Sequence, residues 1–180
     1  MRFRHFYKPT IAVVQSYALA GGFELALACD MTVCDDKAVF GVPEVRFGSS
    51  IAALLLHWYT NPKRTKKMLF TGQDRMLAQE ALNPGIVNEV VGEGEGLRRG
   101  PALAEEVALM DPDSIRMTKQ AINQTYEIMG LSRSLAMGVD TAIKIEVIET
   151  PLRKKFNQIL HEQGMKAALA WREQRLKQSS

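Results

Sequence analysis

Two glutamates twenty residues apart, each following a glycine-containing segment, carry the strongest chemical signal in this sequence. Glu24 comes shortly after the pair Gly21-Gly22, and Glu44 ends the segment Phe40-Gly41-Val42-Pro43-Glu44. Two carboxyl groups in one pocket can divide acid and base work, because one accepts a proton while the other supplies one. The pattern therefore predicts an acid/base pair beside a site that stabilises negative charge.

The residues around the glycine pair predict an apolar strand that turns into a helix. Gly21 and Gly22 permit close backbone approach, and the first N–H groups of the helix lack partners within it. These N–H groups and the helix dipole favour an anion in front of the turn, such as a developing oxyanion. The plainer alternative is that the glycines allow tight packing and that Glu24 is an N-terminal helix charge.

Hydrophobic periodicity predicts short strands followed by helices. The sequence favours a strand over residues 10–19, a helix over 22–29, and strands near 31–34, 38–40 and 86–91. Later helices are expected over 103–110 and from 112 onward, where Asp111 and Ser114 form a helix start. Apolar stripes in the last third of the chain are expected to be core or interface.

Four segments in order resemble the central signature of the enoyl-CoA hydratase/isomerase superfamily, the crotonase fold. They are residues 8–14, 18–26, 28–30 and 40–44, and the run from Phe70-Thr71-Gly72 to Val91 is similar to a later stretch of that family. The resemblance implies a partial α/β crotonase-like (ClpP/crotonase ββα spiral) fold with a C-terminal helical region. It further implies that residues 1–110 form the C-terminal part of the spiral core and residues 111–180 a helical trimerisation and lid region.

The resemblance also implies a site and an activity. It identifies Gly21 as one of two N–H donors to a thioester oxygen, and Glu24 and Glu44 as the pair that activates water and manages the proton at the α-carbon. Ala20 and Phe23, together with the two glycines, are expected to bind substrate. The implied reaction is hydration of 2-enoyl-CoA thioesters by a lyase, with no cofactor beyond the coenzyme A carried by the acyl-CoA substrate.

The sequence departs from the family pattern at two places near the predicted site. Ala20 stands where many relatives have a third glycine, and an apolar run over residues 48–59 replaces a glycine-rich loop. This run is expected to pack, which leaves the substrate range open. Ala52 lies near the position where some family isomerases carry an extra acid, so its type favours hydration.

The family resemblance implies an N-terminal half before residue 8, which supplies the second oxyanion donor and most contacts to CoA. We therefore expect either an N-terminally truncated form of an active enzyme or a shortened relative that has lost turnover. The alternatives are an acyl-CoA isomerase or hydrolase of the same superfamily, or a catalytically silent truncated oligomerisation subunit. A homotrimer or dimer of trimers is the expected assembly.

Composition argues against several other classes of protein. The chain has 180 residues, of which 46% are hydrophobic and 24% charged, with a formal charge of +3, as expected for one globular domain. Its basic residues lack the aromatic interleaving of a nucleic-acid module, and no run is long enough to predict a membrane span.

Cys29 and Cys34 are expected to be reduced thiols of a cytoplasmic protein. The three histidines are scattered and predict no metal site; they are His5, His57 and His161.

Overall fold

The computed structural model describes residues 4, 6–50 and 54–177. Its strands are β1 (Ile11–Val14), β2 (Tyr17–Leu19), β3 (Met31–Asp35), β4 (Val39–Gly41), β5 (Met76–Leu77) and β6 (Glu89–Val91). Its helices are α1 (Gly21–Ala28), α2 (Pro62–Thr71), α3 (Ala78–Leu82), α4 (Gly96–Ala108), α5 (Pro112–Ile128), α6 (Leu131–Val147), α7 (Pro151–Gln163) and α8 (Met165–Lys177). Two short 3₁₀ helices span Pro43–Phe47 and Leu56–Trp58.

The strands form two small sheets. One has the order β1-β3-β6 and is parallel throughout, while the other has the order β2-β4-β5, with β2 parallel and β5 antiparallel to β4. Parallel strands need a crossover, and α1 supplies the one between β1 and β3. The mixture of short parallel strands and helices confirms the predicted α/β class.

The prediction of one continuous strand over residues 10–19 is wrong. The chain leaves the first sheet after Val14 and enters the second at Tyr17, so β1 pairs with β3 and β2 pairs with β4. At the crossing point the carbonyl of Ser16 accepts the N–H of Val39 at 2.8 Å. Residues 10–19 contain no glycine or proline to signal a break, and only the polar pair Gln15-Ser16 lies at the change of sheet.

Helix α4 begins seven residues before its predicted start. Gly96, Gly100 and Pro101 disfavour a helix by propensity, yet α4 starts at Gly96. The carboxylate of Asp35, at the end of β3, accepts the N–H of Gly94 at 2.7 Å and of Gly96 at 2.9 Å. A distant side chain thus satisfies N–H groups at the helix start, which local sequence cannot reveal.

The predicted strand over residues 86–91 is shorter than expected, because only Glu89–Val91 pair with β3. The N–H groups of Ile86 and Val87 bond instead to the carbonyl of Ala81, at 3.0 and 3.3 Å. Both side chains are buried. Their hydrophobicity therefore reflects a buried turn after α3 rather than a strand.

The C-terminal third is helical, as predicted, and Asp111 accepts the N–H of Ser114 at 2.7 Å to begin α5. Leu131 packs in the main core, whereas Phe156, Ile159 and Ala168 form a second cluster on α7 and α8. The apolar stripe predicted on α6 divides: Ala142 is buried and Leu135 packs against the main core, whereas the other members are exposed. The exposed members are Val139, Ile143 and Val147. The division of the chain at residues 110 and 111 stays a prediction.

Over the residues that the structure describes, no helix combines the length and the apolar character needed to cross a bilayer. Both cysteines are free thiols, with Cys34 buried and Cys29 partly so.

Candidate active site

The register of β2 and β4 brings the two glutamates together. These strands are parallel, and Leu19 at the end of β2 lies opposite Gly41 at the end of β4. The segments that follow parallel strands leave the same edge of a sheet. β2 leads into α1, which carries Glu24 in its first turn, and β4 leads into the 3₁₀ helix that carries Glu44 in its first turn.

The turn before α1 is strained and opens onto free space. Ala20 has φ 54° and ψ −126°, a positive-φ conformation that costs a non-glycine residue about 1–3 kcal/mol. Gly21 and Gly22 follow it, and a Cβ built on either glycine would meet nothing within 4 Å. The backbone at the start of α1 therefore has open space beside it, which leaves room for an oxyanion.

Glu24 is buried in the first turn of α1, with 7% of its surface exposed. The N–H of Leu55 donates to both carboxyl oxygens, at 3.1 Å to Oε2 and 3.3 Å to Oε1. Burial raises the pKa of Glu24 to about 7, the Leu55 N–H opposes that rise, and the nearby charge of Glu44 adds to it. Near neutral pH this carboxyl is poised to gain or lose a proton.

Glu44 is also buried, at 9% exposure. Burial raises the pKa of its carboxyl, and its own backbone N–H partly offsets the rise. Its Oε2 is fully enclosed and accepts no hydrogen bond from the residues that the structure describes. A buried carboxyl oxygen without a donor is unusual in a folded protein, and it marks Glu44 as a candidate functional group.

The structure places the predicted residues as follows. Glu24, Glu44, Gly21 and Gly22 come together at one sheet edge, and Ala20 forms the strained turn between β2 and α1. The Phe23 side chain is fully buried against Phe40, with ring centroids 5.4 Å apart, so any substrate contact would come from its backbone. The catalytic and binding roles of all six residues stay predictions.

Two sequence expectations fall partly or wholly outside the described residues. Ala52 and His5 are among those not described. Of the apolar run that contains Ala52, Leu55 and Leu56 are fully buried, so this part of the run packs as expected. Among the residues with described side chains, no group of three His, Cys, Asp or Glu is arranged to hold a metal ion.

Sequence patterns did not predict one contact of the site. The N–H of Leu55 reaches Glu24 across a separation of 31 residues. Every residue except proline carries a backbone N–H, so no residue type signals this contact.

Comparison with known proteins shows the family of the chain. The family model for enoyl-CoA hydratase/isomerase matches residues 1–164. Carnitinyl-CoA dehydratase from Proteus mirabilis is 35% identical over 172 residues, covering 93% of this chain and 61% of the relative. A putative enoyl-CoA hydratase from Thermus thermophilus is 41% identical over 117 residues, covering 64% of this chain and 46% of the relative.

Solved structures agree with the family match. An enoyl-CoA hydratase/isomerase from Xanthobacter autotrophicus Py2 superposes with a TM-score of 0.93 and 38% identity, covering 97% of this chain and 65% of that one. An enoyl-CoA hydratase from Mycobacterium smegmatis superposes with a TM-score of 0.85 and is 28% identical, and the match covers 96% of this chain and 58% of that one. The chain thus spans less than two thirds of the length of each of these relatives. With the crotonase fold and the family model in agreement, this chain belongs to the enoyl-CoA hydratase/isomerase family.

Proposed function

We propose that this site adds water to 2-enoyl-CoA thioesters and removes it in the reverse direction, as a hydratase-type lyase. The observation that carries the proposal is the pair of buried glutamates with raised pKa values, beside a helix start that borders open space. The names of two relatives, a carnitinyl-CoA dehydratase and a putative enoyl-CoA hydratase, support it, because both describe gain or loss of water by a CoA thioester.

In the proposed reaction the thioester oxygen lies in front of α1 and accepts the N–H of Gly21. The oxygen of a water molecule bonds to the β-carbon, and the electrons of the double bond move toward the thioester oxygen as the enolate forms. One glutamate accepts a proton from the water, and the other, in its protonated form, supplies a proton to the α-carbon. A 3-hydroxyacyl-CoA results, with coenzyme A as part of the substrate and no further cofactor.

The two carboxyl groups suit this division of work. Burial raises both pKa values, and the charge of Glu44 raises the pKa of Glu24 further. Two such carboxyls share a site most easily when one is protonated and the other ionised. A backbone donor at Gly21 stabilises the growing negative charge without exchanging a proton, and loss of one such donor costs about 10²–10³ in rate.

We infer further that the chain assembles as a homotrimer or dimer of trimers. Val139, Ile143 and Val147 are spaced four residues apart on α6 and are 44%, 57% and 76% exposed. An apolar helix face of this kind is typical of an interface. Burial against other copies would give this face the contacts that it lacks in one chain.

The test is hydration of a short 2-enoyl-CoA by the 180-residue chain, measured as loss of ultraviolet absorbance of the conjugated thioester. Mass spectrometry of the product separates hydration, which adds one water, from isomerisation, which leaves the mass unchanged. Glu24→Gln and Glu44→Gln are each expected to lower kcat by at least about 10²-fold. Glu105→Gln, the same change on the exposed face of α4, is the control and keeps full activity.

The results separate the proposal from its alternatives. Turnover that adds water and is lost in both site variants supports the hydratase assignment. Turnover without a change of mass would replace it with isomerase activity, and release of free CoA would replace it with hydrolase activity. A folded chain that assembles but turns over none of these substrates would favour a silent oligomerisation subunit.

A further inference from the structure

Two residues with strained backbone are linked to Glu24, one through its backbone N–H and one through its carboxyl group. Among the described residues, the non-glycine positions with positive φ are Ala20, at 54°, and Leu54, at 49°. The carbonyl of Ala20 accepts the N–H of Glu24 at 3.1 Å. Leu54 directly precedes Leu55, whose N–H donates to the Glu24 carboxyl. Strained backbone persists where the surroundings enforce it, and it clusters at functional sites.

Packing holds the Leu54–Leu55 peptide in place. Leu55 and Leu56 are 0% and 1% exposed, within the main core. The carbonyl of Leu55 accepts the N–H of Trp58 at 2.9 Å, which closes the 3₁₀ turn. The side chain and carbonyl of Leu55 are thus both engaged, which holds this residue in place while its N–H donates to Glu24 on α1.

We propose that the Leu54–Leu55 peptide is a positioning element that fixes the Glu24 carboxyl for proton transfer through the N–H of Leu55. The inference rests on the function proposed above, since it takes Glu24 as the acid/base. One N–H shared between both carboxyl oxygens restricts rotation of the carboxyl. A catalytic group held in this way needs no ordering during the reaction.

The Leu55 N–H also counters the effect of burial on Glu24. A donor to a carboxylate favours its ionised form, whereas burial favours the protonated form. These opposing effects, together with the charge of Glu44, set the pKa of Glu24 near 7. Loss of the N–H should therefore raise the pKa of Glu24 above neutrality.

The test removes the N–H and keeps a matched control for the lost side chain. Leu55→Pro removes the donor, and φ −75° at this position suits proline. Leu55→Ala loses the leucine side chain and keeps the N–H. A residue before proline is conformationally restricted, and Leu54 has a positive φ. Each of the two Leu55 changes is therefore also made in a second background that carries Leu54→Gly, because glycine tolerates a positive φ. Circular dichroism selects the pair in which both members fold.

The decisive readout is the pKa of the Glu24 carboxyl, followed by carbon-13 NMR of glutamate-labelled protein and assigned with Glu24→Gln. A hydrogen bond to a charged group is worth enough to move a pKa by about one pH unit. We expect the proline variant to titrate about one pH unit above its alanine control. Equal pKa values in the two variants would overturn the inference, because a purely structural role predicts the same value in both.

Kinetics supply the second readout and separate this inference from the proposed function. If the chain hydrates 2-enoyl-CoA, the limb of its pH profile that reports Glu24 moves to higher pH in the proline variant and stays in place in the alanine control. A pKa difference in a chain without hydratase activity supports the positioning contact and refutes the proposed function. Hydratase activity with equal pKa values refutes the positioning contact alone.

Discussion

The N–H of Ala20 donates to the carbonyl of Gly41 at 2.9 Å, and this bond joins the turn before Glu24 to the strand before Glu44. It lies at the end of the parallel ladder of β2 and β4, where Leu19 pairs with Gly41. The distance between the two glutamates is therefore set by the backbone of two adjacent strand ends. Any change that separates those ends should disturb both acids together.

Gly41→Ala tests how closely the end of β4 is packed, because a Cβ at Gly41 would lie 2.4 Å from Asp74 Cα and 2.7 Å from Gln73 O. These are backbone atoms, so the strand would have to move. We expect a loss of about 3 kcal/mol or more in the free energy of unfolding, measured by urea denaturation. Gly22→Ala is the control. A Cβ at Gly22 would meet no atom within 4 Å, so this change should stabilise α1 by about 0.5–1 kcal/mol. Equal stability in the two variants would contradict the close approach at Gly41.

The raised pKa of Glu24 predicts that stability falls as pH rises. Burial lifts this pKa from 4.5 to about 7, so the folded state binds more protons than the unfolded chain between these values. The resulting penalty is absent below about pH 4.5 and reaches roughly 3 kcal/mol above pH 7. Glu24→Gln should therefore be more stable than the unmodified chain at pH 8 and of similar stability at pH 4.

Thermal unfolding at the two pH values checks the sign of this effect. Glu105→Gln, on the exposed surface of α4, should show no such pH-dependent gain. A Glu24→Gln variant that is less stable than the unmodified chain at pH 8 would show that the ionised carboxyl stabilises the fold. The same variant should lose hydration activity, so stability and activity are expected to change in opposite directions.

Sequence patterns predicted the turn-helix containing Glu24 because that signal is local. Gly21, Gly22 and the apolar positions of α1 lie within a few residues of one another. The split between β1 and β2, the early start of α4 and the Leu55 contact were missed. Each depends on a partner more than twenty residues away: Val39 for Ser16, Asp35 for Gly96, and Glu24 for Leu55. Tertiary contacts of this kind override local propensity and leave no periodic trace.

The exposed apolar face of α6 predicts an assembly that a single charge should weaken. Ile143 lies at the centre of this face and is 57% exposed in one chain. Ile143→Lys would place a charge in a buried interface, so we expect smaller particles in sedimentation at the same protein concentration. Thr141→Lys adds the same charge on the other side of α6 and is the control. An unchanged sedimentation profile for Ile143→Lys would exclude this face as an interface.

A partly buried ion pair ties α5 to the start of β1 and the end of α1. Lys119 Nζ donates to Asp30 Oδ2 at 2.6 Å and to the carbonyl of Lys8 at 2.9 Å. The same Asp30 oxygen accepts the N–H and the hydroxyl of Thr10, at 2.7 and 2.8 Å. The side chain of Lys119 is 9% exposed and that of Asp30 is 25% exposed, so the pair is only partly screened by water.

Removing both partners should therefore cost less than the sum of the two single losses. Lys119→Met leaves Asp30 charged, with Thr10 as its remaining donor, and Asp30→Asn leaves a buried ammonium without its counter-ion. We expect the double variant to be more stable than the sum of the two single losses implies, with a coupling of about 1–2 kcal/mol in urea unfolding. Arg116 and Asp113, an exposed pair on α5, provide the control cycle and should couple by less than about 0.5 kcal/mol. Equal coupling in the two cycles would mean that burial adds nothing to the Lys119–Asp30 contact.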